Sequence, residues 1–166
     1  SIPLGADYID YTMYEPFGVS AQIIPWNYPL EMTARSLSAA LATANACVIK
    51  TPELDPLSAT WFAHAAEAAG LPTGAVNILC GLGHEAGAHL SSHPDIGNVV
   101  FTGSVETGIK VAVAAAQNVK PAILELGGKS AAIVMPDADL DAVMDSVRWG
   151  IFFNAGQVCS AMSRVL

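Results

Sequence analysis

Short runs of apolar, often β-branched residues alternate along the chain with longer stretches in which apolar residues recur every three or four positions. Runs of the first kind predict strands, and the spacing of the second kind predicts helices. The predicted strands are residues 19–25, 46–50, 75–79, 98–102, 121–126 and 130–135. Helices are predicted at residues 31–44, between Asp55-Pro56 and Gly70-Leu71-Pro72, and, as a short helix, near residues 84–92. Two more are marked by apolar residues at helical spacing: Val105, Ile109, Ala112, Val113 and Ala116 in one, and Leu140, Val143, Met144, Val147 and Ile151 in the other.

Individual residues predict the ends of the second helix and the conformation of the N-terminal segment. Asp55 is expected to be the N-cap of the second helix, with Pro56 at its first position and Gly70 near its end. Residues 1–18, in which "YIDYTMY" alternates around Asp and Thr, are expected to form an extended, hairpin-like segment.

Strands that are short, apolar throughout and separated by helices predict an α/β fold, with a parallel sheet covered by helices on both faces. Ligands of such sheets bind at the carboxyl ends of the strands. Polar, aromatic and glycine residues that stand out from the apolar strands fall at those predicted ends: Trp26-Asn27, Lys50, Gly81 to Gly83, Gly103-Ser104 and Glu125.

Composition and charge narrow the classes of function. The chain has 166 residues, 52% of them hydrophobic, and a net charge of −8 from 7 basic and 15 acidic residues. We expect no nucleic-acid partner and no anionic membrane surface, because phosphate contacts need Lys and Arg. A phosphate-bearing small molecule is still compatible, since backbone N–H groups bind phosphate without side-chain charge. No run approaches the length of a membrane span.

The ends and the cysteines predict the context of the chain. It lacks an initiator Met, a signal peptide and a stop signal, so we expect a piece of a longer protein. Cys47, Cys80 and Cys159 form no CxxC pair, which predicts neither a disulfide framework nor a zinc site and favours a reducing compartment. Cys47 and Cys80 lie at the ends of apolar strands and are expected to be small hydrophobic residues.

Two stretches at strand ends leave alternatives open. "VVFTGSVETG" places Gly103 and Gly108 around a strand–helix junction, where backbone N–H groups bind pyrophosphate, although an ordinary turn has the same pattern. In "ILELGGKS", Glu125 lies within an apolar strand and is expected to be partly desolvated, which suits a general base. The alternative is that strand alternation turns Glu125 toward solvent on an edge strand.

Of four further stretches, three also allow either a functional or an ordinary structural interpretation. In "IIPWNYPL", the Asn27 amide is either an oxyanion donor or part of an aromatic turn. In "VIKTPE", Lys50 and Glu53 either bind sugar hydroxyls or form a surface pair. "HEAGAH" spaces its histidines five apart, unlike the HExxH zinc motif, so we expect ordinary surface or capping histidines at 64, 84, 89 and 93. In "NAGQVCSAMSR", Cys159 is either a small buried residue or a nucleophile.

The order and spacing of these stretches resemble the NAD(P)-dependent aldehyde dehydrogenase superfamily over essentially the whole chain. The resemblance is carried by "EPFGVSAQIIPWNYPL", "VIKTPE", "VVFTGSVETG", "ILELGGKS" and "NAGQVCSAMSR". It is closest to the non-acylating, oxidative members, which act on free aldehydes. The implied architecture is an extended segment of the oligomerisation sheet at 1–18, a Rossmann-like NAD-binding domain at 19–126, and the start of a catalytic domain with the nucleophile loop at 127–166.

The resemblance also implies roles for individual residues. Cys159 matches the nucleophile, which forms a thiohemiacetal and then a thioester. Asn27 matches the side-chain donor to the oxyanion, and Glu125 matches the base that activates water. The remaining matches belong to the cofactor site: Ile24, Pro25 and Trp26, Lys50 and Glu53 (adenosine ribose), Gly83 (near the adenine), Gly103, Ser104 and Gly108 (pyrophosphate turn), and Leu126 and Gly127 (nicotinamide side).

The same matches also imply the substrate, the assembly and the location of the full-length protein. They imply an aldehyde substrate, a homo-oligomer (dimer or tetramer) of the full-length enzyme, a cytoplasmic location and no metal. Glu53 would bond the ribose hydroxyls and repel a 2′-phosphate, so NAD is expected over NADP. The alternatives are a non-catalytic, nucleotide-binding fragment, and an acylating enzyme that transfers the thioester to coenzyme A. Glu125 argues against the acylating enzyme, because such enzymes keep water off the thioester.

Overall fold

The centre of the molecule is a five-stranded, all-parallel sheet, seen in a computed structural model that describes residues 2, 5 and 7–166. Its strands are β1 (Val19–Ile23), β2 (Ala46–Lys50), β3 (Val76–Leu79), β4 (Asn98–Gly103) and β5 (Ala122–Leu126), in the order β3-β2-β1-β4-β5. The chain extends the sheet from β1 toward one edge and then returns to pair β4 with the other side of β1. Loops therefore diverge beyond the carboxyl ends of β1 and β4, which opens a crevice there.

Helices cover both faces of the sheet, as the sequence predicted. They are α1 (Pro29–Ala42), α2 (Trp61–Ala68), α3 (Ala88–Ser92) and α4 (Val105–Ala116), and a further helix, α5 (Leu140–Phe152), follows the sheet in the chain. One buried cluster joins alternate residues of β1 and β4 to α3 and α4, and a second joins the opposite face of β1 and β2 to α1. None of the helices in the described part of the chain combines the length and the apolar character needed to traverse a lipid bilayer.

The start of α2 differs from the prediction. A 3₁₀ turn at Ser58–Thr60 comes first, and the α-helix begins only at Trp61. Asp55 is a capping residue of that turn, because its carboxylate accepts hydrogen bonds from the Ser58 N–H (3.3 Å) and hydroxyl (2.5 Å). The Asp-Pro signal therefore starts a turn that precedes the helix.

One predicted strand is also shorter than expected. The strand predicted at 130–135 is only β6 (Ala131–Ala132), which pairs in parallel with β7 (Arg164–Val165) in a separate two-stranded sheet. The described residues of 1–18 contain no strand, although the Ile2 N–H donates to the Asp10 carbonyl (2.9 Å). Ser1, Pro3, Leu4 and Ala6 of the predicted hairpin lie outside the described residues. The proposed domain boundaries remain predictions.

Candidate active site

A cleft of about 970 Å³ lies at the carboxyl edge of the parallel sheet. Loops after β1, β2, β4 and β5 form its walls, together with the loop that follows α5. The cleft collects nearly every residue singled out from the sequence: Ile24, Pro25, Trp26, Asn27, Lys50, Glu53, Gly83, Gly103, Ser104, Glu125, Leu126, Gly127 and Cys159. The topology explains this convergence, because all five strands end at the same edge.

The loop that carries Cys159 is held against the loop after β1. The Asn27 side-chain amide donates to the Gln157 carbonyl (2.8 Å), and the Asn154 amide donates to the Asn27 carbonyl (3.1 Å). Asn154 and Ala155 adopt positive φ angles of 50° and 57°, which turns the chain sharply after α5. Cys159 is exposed in the cleft rather than buried in a turn.

This contact leaves the Asn27 amide able to bind a second acceptor. An amide group has two N–H donors, and the Gln157 carbonyl occupies one of them. Asn27 and Cys159 line the same cleft. The cleft therefore contains both an amide donor and a free thiol.

Glu125 is in the cleft, but it is not desolvated as expected. Leu124 and Leu126 turn toward the core beneath α4, so Ile123 and Glu125 point to the opposite face of β5. β5 is the edge strand of the sheet, and the Glu125 side chain is 45% exposed. Its Oε1 atom pairs with Nη2 of Arg35 at 2.6 Å. Of the two alternatives that the sequence left open, the structure agrees with a Glu125 that alternation turns toward solvent on an edge strand.

The ion pair between Lys50 and Glu53 is not wholly at the surface, because the Lys50 side chain is buried. Lys50 is 4% exposed, and its Nζ lies 3.7 Å from Oε1 of Glu53. The Gly83 N–H donates to the same Glu53 carboxylate. The Gly83 N–H and, after it, the Lys50 charge lower the pKa of Glu53 below its ordinary value. A fixed negative charge therefore lies at this end of the cleft.

The turn between β4 and α4 suits an anion. Ser104 is the N-cap of α4, and its hydroxyl oxygen accepts from the Thr107 N–H (3.2 Å). The first N–H groups of a helix have no partner within the helix and attract negative charge. A pyrophosphate fits this position, and the Lys50–Glu53 pair on the same wall fits the hydroxyls of a ribose, so the residues suit a dinucleotide.

Gly108 was expected to belong to that turn, but it does not line the cleft. It is buried in α4, and a Cβ at this position would lie 2.6 Å from Cδ2 of Leu126. The absence of a side chain lets α4 lie close to β5. Gly108 therefore has a packing role between helix and strand, and its cofactor role remains a prediction.

The structure corrects the prediction for Cys80 and agrees with the surface position predicted for His84. Burial raises the pKa of Cys47 to about 11, which agrees with an inert core residue, but Cys80 is exposed and is not a core residue. His84 was expected to be an ordinary surface residue; it is exposed but also lines the cleft. Within residues 2, 5 and 7–166, no three His, Cys, Asp or Glu side chains are grouped closely enough to bind a metal ion.

Arg35 was not among the predicted site residues; it lies inside α1 and is 90 residues from its partner Glu125. Its position in the middle of a helix, with no motif around it, offered no signal. Gln157 and Asn154 lie within the stretch that was singled out, but only their contacts with Asn27 show what they do.

Comparisons with known proteins agree with this geometry. The sequence model of the aldehyde dehydrogenase family matches residues 1–166. The chain is 49% identical over 165 residues to mitochondrial aldehyde dehydrogenase of Sus scrofa. Among solved structures, it resembles a putative aldehyde dehydrogenase from Burkholderia cenocepacia (TM-score 0.88, 54% identity, 91% of this chain and 32% of that one). It also resembles the NAD⁺ complex of an aldehyde dehydrogenase from Bacillus cereus (TM-score 0.95, 48% identity, 99% of this chain and 33% of that one).

The similarity covers nearly the whole of this chain but only part of each relative. The match to the Sus scrofa enzyme covers 99% of this chain and 32% of that protein, so the chain spans about a third of the curated relatives that it matches. A family match along the whole chain, at this level of identity, shows that the chain belongs to the aldehyde dehydrogenase family.

Proposed function

We propose that the protein containing this chain oxidises an aldehyde to a carboxylic acid with NAD as the oxidant. The observation that carries this proposal is the convergence of Cys159, Asn27 and Glu125, from three distant parts of the sequence, on one cleft. The similarity to an aldehyde dehydrogenase solved with NAD⁺ supports the choice of cofactor.

In the first step, the Cys159 thiolate attacks the carbonyl carbon of the aldehyde. The C=O π electrons move to oxygen and give a thiohemiacetal oxyanion. The free N–H of the Asn27 amide and the backbone N–H of Cys159 stabilise that oxyanion. A thiolate suits this step because it is far more nucleophilic than a neutral hydroxyl.

Bound NAD supplies the oxidising chemistry, by accepting a hydride. Loss of hydride from the thiohemiacetal leaves an acyl thioester on Cys159. Glu125 then removes a proton from a water molecule, whose oxygen attacks the thioester carbon. The C–S bond breaks, the acid is released, and the Cys159 thiolate is regenerated.

The cofactor site follows from the electrostatics of the cleft. Lys50 and Glu53 would bind the hydroxyls of the adenosine ribose. The start of α4 at Ser104 would bind the pyrophosphate. Leu126 and Gly127 would line the nicotinamide side, next to Glu125 in sequence.

The test uses the full-length protein, with absorbance of the reduced cofactor as the readout. Cys159→Ala should abolish turnover of an aldehyde while NAD still binds, as measured by calorimetry. Cys80→Ala is the matched control, because Cys80 is also exposed and free but lies outside the cleft. Substantial aldehyde oxidation by Cys159→Ala would refute the proposal. The product distinguishes the acylating alternative, since that enzyme would need coenzyme A and release its thioester.

The exposure of Cys159 and Glu125 favours a second candidate for residues 1–166 taken alone: a nucleotide-binding module without turnover. An exposed thioester site does not exclude bulk water or orient the aldehyde. Incubating the isolated chain with NAD and an aldehyde separates the two, because the module would bind NAD and form no reduced cofactor.

A further inference from the structure

The Glu125 carboxylate has one charged neighbour, and that neighbour comes from a different layer of the fold. Arg35 lies in α1, and its Nη2 atom is 2.6 Å from Oε1 of Glu125 in β5. Among the described residues, this is the only hydrogen bond or ion pair made by either side chain. The two are 57% and 45% exposed, so packing does not fix either of them.

The topology explains why Arg35 can reach Glu125. α1 packs on the sheet through Leu37 and Ala40, on the same face toward which Glu125 points. Ile123, two residues earlier in β5, is also exposed on this face, so the described chain leaves this part of the edge strand uncovered. The Arg35 guanidinium is therefore the group that restrains the Glu125 carboxylate.

We propose that Arg35 is a positioning residue for Glu125, an inference that rests on the function proposed above. The ion pair occupies Oε1 and leaves Oε2 free to accept a proton from water. A glutamate has three side-chain torsions, so an exposed one samples many orientations without such a partner. The restraint limits the orientations of a carboxylate that lines the same cleft as Cys159.

The inference makes a specific kinetic prediction: Arg35 supports hydrolysis of the acyl enzyme and leaves its formation unaffected. The test should therefore observe hydrolysis alone. p-Nitrophenyl acetate acetylates a reactive cysteine without any hydride transfer. Release of p-nitrophenol then reports acylation, and intact-mass spectrometry follows the decay of the acetylated enzyme.

The experiment uses the full-length protein with Arg35→Met, which retains a linear apolar stem and removes the charge. Deacetylation should slow by about fivefold, the factor that corresponds to an exposed ion pair of about 1 kcal/mol. The acetylation rate should be unchanged. Arg35→Lys should recover most of the lost rate, because it restores the positive charge. Arg148→Met is the matched control, since Arg148 is an exposed helical arginine outside the cleft.

Glu125→Gln separates failure of this inference from failure of the proposed function. If wild-type protein is not acetylated at Cys159, or if Glu125→Gln deacetylates at the wild-type rate, the proposed function fails. If both behave as proposed but Arg35→Met deacetylates at the wild-type rate or faster, only the positioning role of Arg35 is overturned. An equal loss in acetylation and deacetylation would also overturn it, because that result indicates a general structural effect.

Discussion

At the scale of single residues, the surroundings of a side chain decide its chemistry. Glu53 accepts a hydrogen bond from the Gly83 N–H and lies beside the buried Lys50 ammonium. Both partners favour the charged carboxylate, so the pKa of Glu53 is lowered, with the Gly83 N–H as the larger cause. Because the pKa is lowered, the contact persists as pH falls through the ordinary range of a glutamate, and is lost only at still lower pH.

We predict that Glu53→Ser narrows the preference of the full-length protein for NAD over NADP. Removing the carboxylate removes both a partner of the ribose hydroxyls and the repulsion of a 2′-phosphate. The measurement is the ratio of kcat/KM values for the two cofactors at neutral pH. Glu67→Ser, which removes an exposed carboxylate of α2 outside the cleft, should leave the ratio as it is. An unaltered ratio in Glu53→Ser would contradict the assignment.

The sequence predicts residue types better than residue environments. It predicted that Glu125 and Cys159 are candidates for chemistry, and both lie in the cleft. It left open whether Glu125 is buried or faces solvent, because a one-dimensional pattern does not show that β5 is an edge strand or that α1 places an arginine beside it. Which charges approach a carboxylate depends on the order of strands in the sheet.

At the scale of elements, the chain between α3 and β4 is fixed by a close backbone approach. Gly97 lies just before β4, and its N–H donates to the Val19 carbonyl (2.8 Å). A Cβ at Gly97 would lie 2.1 Å from the Phe17 carbonyl oxygen. The clash would be with backbone rather than with a flexible side chain, so it could be relieved only by moving the segment before β1 or the entry to β4.

Gly97→Ala should therefore lower the free energy of unfolding by about 1–3 kcal/mol, the usual range for overpacking. Gly127→Ala is the control for this measurement, because a Cβ at Gly127 has no atom within 4 Å. Thermal or urea unfolding of the two full-length variants provides the comparison. Equal midpoints for both variants would show that the approach of Phe17 to Gly97 is not needed for stability.

The observed boundaries of the buried central strands agree with those predicted from the sequence. They differ from the prediction where a local hydrogen bond stabilises another structure. The central strands β1, β2 and β4 lie close to their predicted positions, because runs buried on both faces have a strong apolar signal. The predicted helix after Asp55 begins late, since the Asp55 carboxylate stabilises a 3₁₀ turn instead. Of the run 130–135, only Ala131–Ala132 forms a strand, which pairs with β7.

At the scale of the whole molecule, large apolar side chains are exposed on several surfaces. They include Ile9 and Tyr14 in the segment before β1, Ile109 and Val113 along α4, and Trp149 and Phe152 on α5. Exposed apolar areas of this extent are uncommon on monomeric proteins and indicate contact with further protein. They are compatible with the homo-oligomer expected from the family, which remains a prediction.

We predict that residues 1–166 expressed alone associate with themselves, because burying these side chains removes apolar area from water. Size-exclusion chromatography with light scattering should give a mass above the 17.2 kDa of one chain, rising with concentration. A variant with Ile109 and Val113 replaced by lysine, which keeps the helical spacing of α4, should associate less. A constant monomeric mass over the whole concentration range would contradict the prediction.

The sequence by itself determined the succession of strands and helices, the parallel sheet with two covered faces, and the polar and glycine residues at the carboxyl ends of its strands. These properties follow from the period of the hydrophobic pattern and from turn chemistry, which act between near neighbours. The tertiary structure alone decided that Arg35 meets Glu125, that Asn27 holds the Cys159 loop through Gln157, and that Gly108 packs against Leu126. Such contacts join residues far apart in sequence, and they depend on strand order and helix placement, which no local pattern encodes.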